Sequence, residues 1–290
     1  MIPLTDNQMN ITFCIVTFNK TPWVKRCLSS IQRYCETEHS VKIVSQGQSG
    51  NELMEFLRGL NDDRFELITS SVNIGASGAR KLLAGKVTSP LMMMLDDDMY
   101  LTAGSVTAAL DVLQKNPTVG AVSMPQYDLR GRPVARGGMR IDIRGGVIHR
   151  IPVILDSSPW IEVEYLGGGA TMFRTEMRDC FSWDEEYRTG FEDLDNCLQI
   201  LRARKWKQAI ACRGRLIHDR SWVGKNPRYE RSRFNGFRLR RNYRYFRKKW
   251  GLRLDMKSHI LTELVYPVVE FAHFPFTVSQ IDSLSRRRGK

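Results

Sequence analysis

Two hydrophobic periods alternate along the first third of the chain. Ile11 to Phe18 is a β-rich run, and Thr21-Pro22 then predicts an N-cap followed by proline in the first helical turn. Val24, Cys27, Leu28 and Ile31 keep the 3.6-residue spacing of a helix with one apolar face. Val41 to Val44 predicts a second strand, and Leu53, Phe56, Leu57 and Leu60 stripe a second helix. Phe65 to Ile68 predicts a third strand, Ala79 to Leu83 a third helix, and Leu91 to Leu95 a fourth, wholly apolar strand. Strands without a polar face, alternating with helices, predict a parallel sheet covered on both sides.

Beyond a helix at Ser105 to Gln114 and a strand at Val119 to Met124, the pattern changes. Short Gly- and Arg-rich strands between Tyr127 and Leu155 predict hairpins added to the first sheet. Gly167-Gly168-Gly169 precedes the apolar run Ala170 to Phe173, and Phe191-Glu192-Asp193 opens a helix with Cys197, Leu198 and Leu201 on its apolar side. From Arg213 on, Arg and Lys interleave with Trp222, Tyr229, Phe234, Phe237, Tyr243, Tyr245, Phe246 and Trp250. No repeat or low-complexity linker divides the chain. The expected organisation is one α/β domain over 1–250 and a basic, amphipathic extension over 251–290.

Charge sharpens that division. The 290 residues carry a formal net charge of +13, but residues 1–200 hold 20 basic and 25 acidic side chains while residues 201–290 hold 24 and 6. A positive region this concentrated predicts an anionic partner. The apolar stretch from Ile260 to Phe276 is broken by Glu263, Pro267, Glu270 and His273, too short and interrupted to span a bilayer. Met1 to Gln8 has no basic segment leading into an apolar core, so a cytoplasmic protein is expected, at most peripheral to a membrane. Cys14, Cys27, Cys35, Cys180, Cys197 and Cys212 form no CxxC pair and are expected to be buried free thiols.

Candidate chemistry gathers at the predicted strand ends. Asp96-Asp97-Asp98 follows the most apolar strand, where ligands bind in open parallel sheets. Three adjacent carboxylates at a core edge call for a cation, and oxygen ligands favour Mg2+ or Mn2+. Asn73-Ile74-Gly75-Ala76-Ser77-Gly78-Ala79-Arg80 joins a strand to a helix, combining glycines, a helix N-terminus and an arginine suited to phosphate. Glu192 and Asp193 complement a helix dipole or, if exposed, supply a general base. His218 is either a structural histidine or a further metal ligand. Neither GxGxxG nor a P-loop is present.

Ile15-Val16-Thr17-Phe18-Asn19, Asn73-x-Gly75 with Ala79-Arg80, Leu95-Asp96-Asp97-Asp98, Gly167-Gly168-Gly169-Ala170-x-Met172-Phe173-Arg174, Trp183-Asp184-Glu185 and Gly190-Phe191-Glu192-Asp193-x-Asp195 resemble, in that order, a family 2 glycosyltransferase of the GT-A fold. The resemblance runs from about Ile11 to Trp250. It implies a Rossmann-like, mostly parallel sheet flanked by helices, a nucleotide-sugar donor, Mn2+ or Mg2+, and inverting transfer to an acceptor hydroxyl. By the same resemblance Thr17, Phe18, Asn19, Ser45, Asn73, Gly75, Arg80, Asp96 and Asp97 would line the donor site. Asp98, Asp96 and His218 would hold the metal, Asp193 with Glu192 would carry the base, and Gly168, Gly169 and Trp222 would border the acceptor. The family usually has Asp at the end of the second strand, against the uracil edge; here the segment reads Val44-Ser45-Gln46-Gly47, which leaves the base open, with UDP the first choice.

For the basic tail the expectation is a glycan or glycolipid acceptor at an anionic membrane surface, with a homodimer contact through the extension as a further role. Alternatives are a glycosyltransferase acting on a modified DNA base and a non-catalytic nucleic-acid-binding protein. A metal-dependent phosphotransferase would leave the missing P-loop and kinase motifs unexplained.

Overall fold

The computed structural model describes residues 9–47, 50–222 and 235–266. The N-terminal octapeptide, Tyr229, Phe234 and the apolar stretch beyond Tyr266 lie outside the described residues.

The elements follow in order: β1 (Ile11–Phe18), α1 (Thr21–Tyr34), β2 (His39–Gln46), α2 (Gly50–Leu60), β3 (Phe65–Ser70), α3 (Gly75–Gly85), β4 (Leu91–Asp96), β5 (Met99–Leu101), α4 (Ser105–Lys115) and β6 (Val119–Ser123). Then come β7 (Gln126–Tyr127), β8 (Pro133–Ala135), β9 (Gly138–Arg144), β10 (Val147–Pro152), β11 (Trp160–Val163), β12 (Tyr165–Leu166), β13 (Ala170–Arg174), α5 (Glu192–Ala203), β14 (Lys207–Ala211) and β15 (Leu216–His218). The chain continues through α6 (Gly236–Trp250), β16 (Arg253–Leu254) and α7 (Met256–Ile260), and a π-helical turn covers Leu261–Val265.

Two compact units divide these elements. The first holds residues 1–140, 151–188 and 192–220; the second holds 141–150, 189–191 and 221–290. The first is built on an eight-stranded sheet of order β11-β14-β6-β13-β4-β1-β2-β3. Neighbours β4, β1, β2 and β3 are parallel, as the alternating pattern predicts. The sheet as a whole is mixed, because β13 runs antiparallel to both β4 and β6. Its apolar run fits a strand of either direction, so direction was not readable from hydropathy.

Burial explains the strands. Along β4, Leu91, Met93 and Leu95 join the cluster containing α1 and α4, while Met92 and Met94 join the cluster containing Ala79, Leu83, Phe173 and Trp183. A strand with both faces covered has no polar alternation to keep. Removing one such methionine to alanine would cost about 2–5 kcal/mol.

Helix α1 corrects one local expectation. Thr21 is its first residue and not its cap; Lys20 occupies the cap position without a side-chain cap bond, and Asn19 has φ 55. The turn between β1 and α1 spends its polar side chains elsewhere, as the site below shows. A small sheet of order β5-β15-β7-β8 packs in the same unit, with β15 antiparallel to β5.

In the second unit α6 is capped by Asn235, whose side chain accepts a hydrogen bond from the Arg238 amide, and is closed by Gly251 at φ 66. Tyr243 and Phe246 are fully buried, and both rings pack on Phe191. The Asn242 side-chain amide donates to the carbonyls of Thr189 and Gly190. The Tyr243 hydroxyl accepts from the Leu254 amide and lies 3.0 Å from His259 Nδ1. No helix among the described residues is long and apolar enough to cross a membrane.

Candidate active site

Topology brings the acidic triplet to one end of the sheet. Asp96 closes β4, Asp97 and Asp98 turn the chain, and Met99 starts β5, whose partner β15 sets His218 opposite Met99. The Asp219 amide donates to the Asp98 carbonyl at 2.8 Å, pinning that turn. His218 Nε2 thereby stands 3.9 Å from Asp98 Oδ1. Asp219 is itself fixed by the Tyr100 hydroxyl at 2.8 Å and by Arg26 at 3.1 Å.

The cations that balance the triplet come from the chain itself. Lys20, directly after β1, is 1% exposed, and its Nζ lies 2.5 Å from Asp97 Oδ1 and 3.0 Å from Asp98 Oδ2. Burial raises the Asp97 carboxyl above its ordinary value and the Asp98 charge adds to that, while the Lys20 ammonium opposes both. Breaking such a buried arrangement from one side typically costs about 3–5 kcal/mol.

Arg80 supplies the second cation. The turn into α3 needs glycine at Gly75, which has φ 81 and whose added Cβ would fall 2.5 Å from the Arg188 carbonyl oxygen. Five residues on, the Arg80 guanidinium is buried and forked. One nitrogen donates to Asp96 Oδ1 at 2.9 Å and the other to Asp193 Oδ1 at 3.1 Å, with Glu192 Oε1 at 3.6 Å from the latter. Burial acts to lower its pKa, but the charges of Asp96, Asp193 and Glu192 outweigh that and raise it further. The two acidic motifs, about a hundred positions apart in sequence, therefore meet on one side chain.

The triglycine makes that meeting possible. Ala170 of β13 pairs with Leu95, so Gly169 lies beside Asp96, and the Asp96 amide donates to the Gly169 carbonyl at 2.7 Å. A Cβ on Gly169 would be 2.2 Å from Asp96 Oδ2, and one on Gly168 would be 2.2 Å from Asp193 Oδ1. Both glycines thus face the carboxylates. Of the two acids opening α5, Asp193 is the accessible one, with a side chain 26% exposed against 7% for Glu192.

The ends of β1, β2 and β3 form the other flank. Thr17 pairs with Ser45 and Phe18 with Gln46; Thr17, Ser45 and Gln46 are buried. Gln46 Oε1 accepts from the Ile74 amide at 2.7 Å and Asn73 Oδ1 from the Gly75 amide at 2.8 Å, so both side chains brace the loop before α3. Gly47, at φ 85, leaves room for the Asn19 side chain, 2.7 Å from where its Cβ would sit. Trp222 is buried and belongs to the second unit.

Two features escaped the sequence reading. Lys20 reads as an ordinary basic residue before a helix; its one signal was its place directly after a strand whose neighbour ends in three carboxylates. The support of Asp219 by Tyr100 and Arg26 left no trace in spacing. Among the described residues no group of three or more His, Cys, Asp or Glu is assembled to hold a metal ion. The Asp98 and His218 side chains bring one carboxylate oxygen and one imidazole nitrogen to within 3.9 Å of each other. Asp98 turns Oδ2 to Lys20 and Oδ1 towards His218.

Residues 12–179 match the model of the family described as Glycosyl transferase family 2. Among solved structures, the chain is similar to the crystal structure of GalNAc-T7 with UDP, GalNAc and Mn2+, at 14% identity and a TM-score of 0.62, over 93% of this chain and 59% of that one. It is also similar to S. aureus TarS 1-349, at 12% identity and a TM-score of 0.56, over 92% of this chain and 72% of that one. At these identities the likeness is one of fold, and this chain spans only 59% of the length of the first. Comparison with curated proteins gives no match.

Proposed function

Because the chain belongs to glycosyl transferase family 2 and folds as a GT-A enzyme, we propose that it transfers a sugar, with inversion, from a nucleotide-sugar donor to an acceptor hydroxyl. The observation that carries this reading is the Arg80 fork, with Asp96 on one arm and Asp193 on the other. Inversion needs a donor and a base on opposite sides of the reacting carbon, held at fixed separation.

In this reading Thr17, Phe18, Asn19, Ser45, Asn73 and Gly75 border the nucleoside, and Asp96 and Asp97 lie on its ribose and diphosphate side. Asp98 and His218 would hold a Mn2+ or Mg2+ ion, which when bound supplies Lewis-acid neutralisation of the departing diphosphate. Asp193 takes the proton from the acceptor hydroxyl as it attacks, and Arg80 keeps that carboxylate aimed. Glu192, more deeply buried, adds to the field that holds Arg80 charged. Gly168 and Gly169 border the acceptor.

The structure of GalNAc-T7 with UDP and Mn2+ supports a UDP-sugar and a divalent ion as the first donor pair to test. The strongly basic last third supports an acceptor glycan or glycolipid at an anionic membrane surface, reached from the cytoplasm.

A thermal-shift screen of UDP-, GDP-, CDP- and dTDP-sugars, with and without Mn2+, tests the reading, since a ligand of the folded state raises the melting temperature. A cation-dependent rise with one nucleotide is expected; no rise with any of them would overturn the donor assignment. Asp193→Asn should keep that rise and lose about 10²–10⁴-fold in turnover. Asp98→Asn should lose the Mn2+-dependent part of the rise together with transfer, measured on the same samples.

A further inference from the structure

The second unit contains a cleft of about 500 Å3 that the proposed reaction does not use. Four cationic residues line it: Arg244, Arg247 and Lys248 from the last turns of α6, and Arg253 from β16. The remaining lining is Leu252 and three glycines, Gly145 and Gly146 at the tip between β9 and β10, and Gly251. All three glycines have positive φ, at 53, 74 and 66°. The frame is tied by hydrogen bonds: the Arg253 amide donates to the Gly146 carbonyl and the Gly251 amide to the Arg247 carbonyl, both at 2.9 Å. Val147 and Ile148 pair with Arg253 and Leu254 in parallel register.

Charge decides what this cleft accepts. Glu263 reaches the group, 3.2 Å from Arg244 and 3.8 Å from Arg247, while also holding Arg240 at 3.0 Å. Among the described residues neither Lys248 nor Arg253 forms an ion pair. Cations at a helix C-terminus complement its dipole, but that end carries only about half a negative charge. Four cations against one carboxylate and that half charge leave a surplus of about +2.5, and Arg253 is not on the helix.

We infer that this cleft is a binding site for a phosphate-bearing group, carried either by a soluble compound or by an anionic lipid headgroup. Paired guanidinium groups match phosphate oxygens in the plane of the fork, and glycine-lined turns let backbone approach the anion closely. The volume falls in the range of small-ligand sites, which suits a compact anion better than a nucleic-acid backbone, which tracks a continuous groove. The helical segment that follows gives the lipid source a second support. Met256, Ile260 and Leu264, four residues apart, are 65%, 42% and 59% exposed, an apolar stripe of the kind that enters the headgroup boundary.

The test uses the full chain in EDTA, titrated calorimetrically with pyrophosphate and floated with vesicles of phosphatidylcholine alone or mixed with phosphatidylglycerol. All four cationic side chains are solvent-exposed, so Arg247→Gln/Arg253→Gln and, separately, Lys248→Gln should melt at the wild-type temperature. Pyrophosphate affinity is expected to fall at least tenfold in the double variant. Any pyrophosphate held near Asp98 is untouched by these substitutions, so the two contributions separate. Parallel loss of phosphatidylglycerol-dependent flotation assigns the site to a lipid headgroup; retained flotation with lost pyrophosphate binding assigns it to a soluble phosphate. Unchanged pyrophosphate affinity in the folded variants would overturn the inference, as would cleft-dependent binding of an oligonucleotide without any of pyrophosphate.

Discussion

Gly168 has little freedom in the site. A methyl group there would lie 2.2 Å from Asp193 Oδ1 and 2.8 Å from an Arg80 nitrogen, the two ends of one ion pair. Gly168→Ala should therefore lower turnover at least tenfold while shifting the melting temperature little, because the atoms displaced are side-chain tips and not core. Steady-state kinetics beside a melting curve separates the two effects; normal turnover would mean the pair is not needed in that position. Asp96, Arg80 and Asp193 were legible in the sequence because each sits at a boundary, a strand end, a first helical stretch or a helix start, where local pattern and ligand geometry coincide. Lys20 was not. Its partner Asp98 is 78 positions away, and only the pairing of β1 with β4 brings the two together.

At the scale of elements, hydrophobic period fixed the kind of each segment better than its direction or its ends. The run Ala170 to Phe173 was visible as a buried strand, but its antiparallel entry between β4 and β6 depends on the connection before it. Helix α1 starts one residue earlier than expected, with Thr21 helical and the cap position taken by Lys20, whose ammonium has no acceptor to offer the helix amides and is bound by Asp97 and Asp98 instead. Helix α6 carries its own electrostatic fastening. Burial alone would raise the pKa of Glu263, but hydrogen bonds from Arg240 and Arg244 hold it below the ordinary carboxylate value. A carboxylate with a lowered folded-state pKa contributes stability above its unfolded value, about 4.3, and loses it as the pH falls through the folded one. Glu263→Gln should cost about 1–2 kcal/mol at pH 7, and the gap from wild type should close in urea melts below about pH 4. A gap independent of pH would assign the effect to packing.

Taken whole, the molecule concentrates its titratable chemistry in one unit and its excess positive charge in the other, a division already visible in the acidic first 200 residues and basic last 90. The boundary between the units was not visible, since the second collects residues 141–150 and 189–191 from within the first. The cysteines report on the integrity of both faces of the main sheet. All six are free; burial pushes Cys14 and Cys197 up to about 12, and Cys27 also lies well above the ordinary thiol value. A thiol reagent at pH 8 should label Cys180 and Cys212 in the native protein and Cys14, Cys27 and Cys197 only after unfolding. Mass spectrometry of labelled peptides checks this, and native labelling of Cys14 would mean that the sheet opens.

The forked guanidinium also limits how such a chain can diverge. Replacing Asp96 would free one arm of Arg80 and loosen Asp193 on the other, so under the proposed function donor preference and proton acceptance cannot drift independently at that position. Under the proposed function, change in the leaving nucleotide is easier at Thr17 and Ser45, paired at the ends of β1 and β2, which make no contact with that guanidinium.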